Sequence, residues 1–184
     1  MNGEWLRTPM SGGRADSGCL VEAGERNFIL GAFASLIVAL ALAMNPQILE
    51  ACDPVAVRRC APVMRELRPQ YSDDSLVERV LMQMTQGYRF VAAEEEGRVV
   101  AVAGFRVLEN LAWGRFLYVD DLVSSEAERG AGHGSALIDW LVNEARRLGC
   151  DQFHLDSGVQ RFGAHRFYLH KGMDINCHHF GMVL

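Results

Sequence analysis

Val123-Ser124-Ser125-Glu126-Ala127-Glu128-Arg129-Gly130-Ala131-Gly132-His133-Gly134-Ser135 is the stretch whose reading decides the fold. It joins a β-type run, Arg115–Val123, to a helical pattern over Ser135–Leu148 that puts Leu137, Leu141, Ala145 and Leu148 on one face. The first turn of a helix carries N–H groups without intrahelical partners, and the helix dipole adds positive character there. Glycines let that backbone come close to an anion, and Arg129 adds a charged fork. Gly130, Ala131, Gly132, His133, Gly134 and Ser135 therefore read as a cradle for a phosphate or diphosphate. Taken alone, the same turn also reads as a tight strand-to-helix connection. It is not a P-loop, because no Lys followed by Ser or Thr comes after the last glycine. It is not a dinucleotide loop either, because an antiparallel meander precedes it rather than the first strand of a parallel sheet.

Upstream, Gln47–Ala51 reads as a short strand. Asp53-Pro54 is an N-cap followed by Pro at the first helical position, and Val57, Cys60, Ala61, Met64 and Leu67 form an apolar stripe that Pro69 ends. A second helix begins near Ser72–Asp74 and ends at Gly87. Tyr88–Ala93, Arg98–Leu108 and Arg115–Val123 read as three strands joined by turns, hence an antiparallel sheet. Downstream, Gly149 closes the helix, Gln152–Asp156 is a strand, Ala164–Lys171 a short helix, and Met173–Ile175 and His178–Met182 two last strands. The fold class is α/β (α+β), a mixed and mostly antiparallel sheet flanked by helices.

Arg129-x-x-Gly132-x-Gly134 resembles the Arg/Gln-x-x-Gly-x-Gly/Ala motif of the GCN5-related N-acetyltransferases (GNAT). The order of elements over Gln47 to Leu184 is similar to that family's as well. Ala164-His165-Arg166-Phe167-Tyr168-Leu169-His170-Lys171-Gly172-Met173 resembles its Ala-x-x-x-Tyr-x-x-x-Gly-Phe stretch, with Met173 in place of Phe and Arg161 where Asn is frequent. His133 replaces an aliphatic residue frequent inside the loop. The resemblance implies acetyl-CoA as acyl donor, lying between a splayed fourth and fifth strand. Leu122 and Val123 would then pair with the pantetheine arm, and the loop with the pyrophosphate. It also implies transfer of an acetyl group to a primary amine in a ternary complex. The alternative is a non-catalytic acyl-CoA-binding module of the same fold.

For that chemistry Tyr168 is the candidate proton donor to the departing thiolate. Its ordinary pKa of about 10, against about 8.5 for a thiol, keeps it protonated at neutral pH. Asp120 and Asp121 are candidates for accepting the amine's proton or binding its charge. Neighbours on a strand face opposite ways, so one of them is expected to face the acceptor. The acceptor itself, a small-molecule or peptide amine, is named by no motif. Trp113, Arg115, His154, His165 and His170 each fit a pocket or a purely structural role. Cys177, His178 and His179 lack a second ligand pair, and no metal is expected.

The 184 residues are 49% hydrophobic and 22% charged, with a net charge of −5, so no basic footprint for nucleic acid is present. Five cysteines with no CxxC pair argue against a disulfide framework and read as reduced, mostly buried thiols of a cytoplasmic protein. Residues 1–27 read as a disordered leader. Phe28–Met44 is an uncharged run of 17 residues, at the short edge of a membrane span. It is read as a transmembrane helix or a non-native N-terminal extension, so membrane association stays open, with the domain facing the cytoplasm. Residues 45–184 are the catalytic domain. A homodimer is compatible with the sequence.

Overall fold

The computed structural model describes residues 46–184. The leader 1–27 and the apolar segment 28–44 lie outside them. Among the described residues, no helix is long and apolar enough to cross a membrane.

The chain runs β1 (Gln47–Glu50), α1 (Pro54–Leu67), α2 (Asp73–Met84), β2 (Arg89–Glu95), β3 (Arg98–Asn110), β4 (Gly114–Ser124), a 3-10 turn (Glu126–Glu128), α3 (His133–Arg147), β5 (Gln152–Leu155) and α4 (Phe162–His170). The helix starts follow the residues that cap them. The Asp53 carboxylate accepts from the amides of Val55 and Ala56 at 2.8 and 2.9 Å, with Pro54 opening α1. Ser72 and Ser75 form a reciprocal capping box at α2.

The sheet order is β1-β2-β3-β4-β5. β1 to β4 pair antiparallel, and β5 runs parallel to β4 because α3 carries the chain back across the sheet. The hairpin between β2 and β3 turns on Glu96 and Gly97, both at positive φ, the two-residue primed turn whose twist suits paired strands. Each face of the sheet has its own core. Val57, Cys60, Met64 and Val80 pack on Tyr88, Phe90 and Val102 on the α1/α2 face. Leu137, Leu141 and Ala145 pack on Val91, Ala103, Phe105 and Leu117 on the α3 face.

Among the described residues, two of the expected strands are absent. Met173–Ile175 and His178–Met182 carry no strand pairing, and Ile175, Phe180 and Met182 are exposed. Their composition is β-like, but composition on its own does not pair a segment into a sheet. The cysteines also depart from expectation. Of the four described, Cys60 alone is fully buried, and burial pushes its thiol up to about 12. Cys52 sits in the loop before α1 and Cys177 in the irregular C-terminal stretch, and both are exposed.

Glu144, buried on α3, ties that helix to the sheet. It accepts from Arg147 at 2.6 Å twice and from Arg89 of β2 at 2.7 Å, and Arg89 also pairs with Glu50 of β1. The Arg147 fork, aided by Arg89 and opposed by burial, holds the Glu144 carboxyl down at about 2. A carboxyl lowered on folding stabilises the protein above its unfolded value of 4.5 and loses that contribution as pH falls toward 2. Arg147 is largely exposed, so the full shift is discounted to about 2–3 kcal/mol. Urea unfolding as a function of pH checks this. The Glu144→Gln variant is expected to be less stable at pH 7, with the gap to the parent closing between pH 4.5 and 2.

Candidate functional site

A β-bulge in β4 creates the site. Gly104 pairs with Asp121 and Phe105 with Val119, so Asp120 is an extra residue with no partner on β3. On the other side of β4, pairing with β5 ends at Val119–Leu155, one residue before the bulge. Bulges bend the strand that carries them. Beyond Val119 the two strands part, and among the described residues no strand lies against the β5-facing edge of Asp120–Ser124. The alternation of faces resets at the same place. Leu117 and Val119 pack on the α3 face, whereas Val123, which uninterrupted alternation would leave on that face, packs on the α1/α2 face.

The bulge corrects one expectation from strand geometry. Asp120 and Asp121 do not face opposite ways; both meet cations on the α1/α2 face. Asp121 accepts from Arg68 Nε at 2.7 Å and from the Tyr88 hydroxyl at 2.9 Å. Asp120 accepts from Arg106 Nε at 2.8 Å. Arg106 also lies over the Tyr88 ring, 5.2 Å from its centroid. Only Asp120 borders open space, where burial raises its carboxyl pKa against the opposing pull of Arg106. Asp121 has both carboxylate oxygens engaged and acts as a clamp between α1, β2 and β4.

The parted strands open on a cleft of about 1090 Å³. Leu122, Val123, Arg129, Gly130, Gly132, His133, Gly134 and Ser135 line it from one side, and Tyr168 lines it from α4. Gly130 and Gly132 sit at φ +91° and +95°, where a side chain is strained, and Gly132 is the residue before α3. The Arg129 and Ala131 amides turn back to the carbonyls of Glu126 and Glu128. Ala131 does not line the cleft. The α3 ladder begins with Ala136 donating to Gly132, so His133, Gly134 and Ser135 are the orphan amides of the helix start. Arg129 is held loosely, 3.6 Å from Glu66 and 3.5 Å from Glu126. Glu66 also accepts from the Glu126 amide at 2.7 Å, anchoring the loop to α1.

A smaller cavity of about 260 Å³ adjoins the cleft and shares Leu67, Leu122, Arg161, Ala164 and Tyr168 with it. Asp120 and Asp156 lie on its far wall. Tyr168 thus stands at the junction of a long cleft and an acidic pocket. Its burial raises the phenol pKa, with Arg161 pulling the other way. Asp156 accepts from the Tyr118 hydroxyl at 2.6 Å.

The remaining polar candidates sort plainly. Trp113 stacks on His154 at 4.0 Å and meets Phe116 edge-on, and Arg115 Nε donates to the Leu148 carbonyl at 3.1 Å, so these close the far end of the sheet. His165 sits 2.9 Å from the Gly158 carbonyl, and His170 lines the cleft. Arg68, Tyr88 and Arg106 escaped the sequence reading, because three separate segments bring them to the bulge. The doubled acid at 120–121 was the only trace of them.

Comparison with known proteins agrees with this geometry. The model of the Acetyltransferase (GNAT) family matches residues 57–173. The chain is 32% identical over 111 residues to the Uncharacterized N-acetyltransferase YhdJ of Bacillus subtilis, covering 60% of this chain and 78% of that one. It is 30% identical over 124 residues to the Aminoalkylphosphonate N-acetyltransferase of Salmonella typhimurium, covering 67% and 79%. Among solved structures, a transcriptional regulator from Bacillus halodurans superposes with a TM-score of 0.68 at 20% identity, covering 76% of this chain and 99% of that one. The aminoglycoside N-acetyltransferase AAC(6')-Iy in complex with CoA does so with a TM-score of 0.65 at 12% identity, covering 75% and 93%.

Proposed function

The chain belongs to the GNAT acetyltransferase family, and from that premise we propose that it transfers the acetyl group of acetyl-CoA to a primary amine, with donor and acceptor held together for direct attack. The observation that carries this is the helix-start turn Gly130–Ser135, opening on a cleft where the edge of β4 has lost its neighbour. The residues present fit the donor. Orphan amides at His133, Gly134 and Ser135, with Gly130, Gly132 and Arg129 beside them, suit a diphosphate. The free edge at Leu122 and Val123 suits the amide-bearing arm. Ala131 shapes the turn, and its amide is weakly tied at 3.3 Å.

When bound, acetyl-CoA supplies the activated acyl group. The chain does the rest by holding groups in place and moving protons. Tyr168 would donate its phenolic O–H to the departing sulfur and stabilise the thiolate as it forms. Asp120, the carboxylate bordering open space, takes the amine's proton directly or through water, or holds the amine as a cation. Asp121 positions β4 through Arg68 and Tyr88. Use of acetyl-CoA places the domain on the cytoplasmic side of any membrane. The acceptor is a small-molecule or peptide amine, whose cationic form suits the acidic pocket of Asp120 and Asp156.

Calorimetric titration with CoA, followed by thiol release over polyamines, amino sugars, amino acids, aminoglycosides, aminoalkylphosphonates and peptide N-termini, tests the proposal. Micromolar CoA binding and thiol release with one amine class are expected. Absence of CoA binding would overturn the proposal, and binding without release on any amine would make the domain an acyl-CoA sensor.

A further inference from the structure

We propose that His133, Glu95 and Glu128 form a binding site for a divalent transition-metal cation beside the cofactor turn. His133 is 4% exposed, and among the described residues neither ring nitrogen has a hydrogen-bond partner. A buried imidazole left unpaired costs about 1–3 kcal/mol. Its surroundings are not apolar: one ligand atom each from Glu95, Glu128 and His133 lies within 4.8 Å of the others. The contact from His133 Nε2 to the Glu95 carboxylate is 3.7 Å. That is too long for a hydrogen bond. It is close to the spacing of two ligands around one ion, about 3.0–3.5 Å for bonds near 2.1 Å.

Charge points the same way. Two carboxylates outweigh the positive end of α3, worth about half a charge. Arg98 reaches one Glu128 oxygen at 3.3 Å, but it is mostly exposed and leaves the other oxygen to the site. One imidazole and two carboxylates suit a cation of intermediate softness such as Zn²⁺, with water completing the shell. The three ligands come from the end of β2, the 3-10 turn and the first residue of α3. An ion there would staple the glycine turn to the β2–β3 hairpin.

Titration of the full chain with Zn²⁺ alone tests the site, read by calorimetry and by the thermal midpoint. One equivalent is expected to bind and raise the midpoint. His133→Leu is expected to weaken binding at least tenfold, and so is Glu95→Gln, a half-exposed change that leaves the core intact should the first variant fold poorly. Replacing both His178 and His179 by alanine is expected to leave binding unchanged. No Zn²⁺ binding, or binding that survives at His133 and Glu95 but is lost with His178 and His179, would overturn the site. Neither readout involves CoA, so the outcome is independent of the acetyl-transfer proposal.

Discussion

Replacing Tyr168 by phenylalanine is expected to lower kcat by about 10²–10³-fold while leaving the CoA dissociation constant within about twofold. Phenylalanine keeps the ring that fills the junction between the cleft and the acidic pocket and removes only the hydroxyl. The departing group is a thiol with a pKa near 8.5, and a phenol whose pKa burial has raised stays protonated across the range in which the thiolate forms. A donor weaker than the product acid keeps its proton and holds the thiolate by a hydrogen bond that strengthens only as charge develops on the sulfur, so its loss falls on kcat and not on ground-state binding. A kcat unchanged in Tyr168→Phe, with CoA affinity also unchanged, would remove the phenol from stabilising the thiolate. A fall in affinity instead would make Tyr168 a wall of the cleft.

Much of this site could be read along the chain because its parts are local. The glycine turn, its arginine and the helix they precede lie within a single stretch of sequence, and orphan amides at a helix start need nothing from elsewhere. The helices were legible for the same reason: Asp53, Ser72 and Gly149 mark their ends. The bulge was not legible. Nothing in Val119-Asp120-Asp121-Leu122 says that one residue will lose its cross-strand partner, since that depends on the register with Gly104 and Phe105. The misjudged facing of the two aspartates follows from it. His133 reads from the sequence as a backbone donor only, because its buried environment is built by Glu95, 38 positions away at the end of β2. The two surplus strands near the C-terminus show the converse: residues that suit a sheet by composition are not paired into one by composition alone, even beside the outer edge of β5, open among the described residues.

Gly104→Ala is expected to destabilise the protein by roughly 3–5 kcal/mol, a large share of the 5–15 kcal/mol that holds a domain folded. A methyl group at Gly104 would stand 1.7 Å from the Tyr88 hydroxyl oxygen and 2.1 Å from the ring carbon bearing it. The ring cannot swing aside cheaply. It is 3% exposed, stacked on Phe90 at 6.1 Å and capped by the Arg106 guanidinium. Overpacking of this kind costs about 1–3 kcal/mol. Displacing the hydroxyl also breaks its bond to the Asp121 carboxylate, worth about 1.5–3 kcal/mol for a charged partner. Urea denaturation of Gly104→Ala, Tyr88→Phe, Tyr88→Ala and the double Tyr88→Ala/Gly104→Ala separates the two contributions. Tyr88→Phe should lose only the hydrogen bond and be the milder of the first two. In the Tyr88→Ala background the clash is gone, so adding alanine at 104 should cost little, a strong departure from additivity. Because Tyr88 and Arg68 together clamp Asp121 beside the bulge, Gly104→Ala should also weaken CoA binding at temperatures where it stays folded. A Gly104→Ala variant within about 1 kcal/mol of the parent, or double-variant costs that simply add, would mean that the backbone at 104 yields instead. The opening of β4 from β5 would then not depend on this clamp.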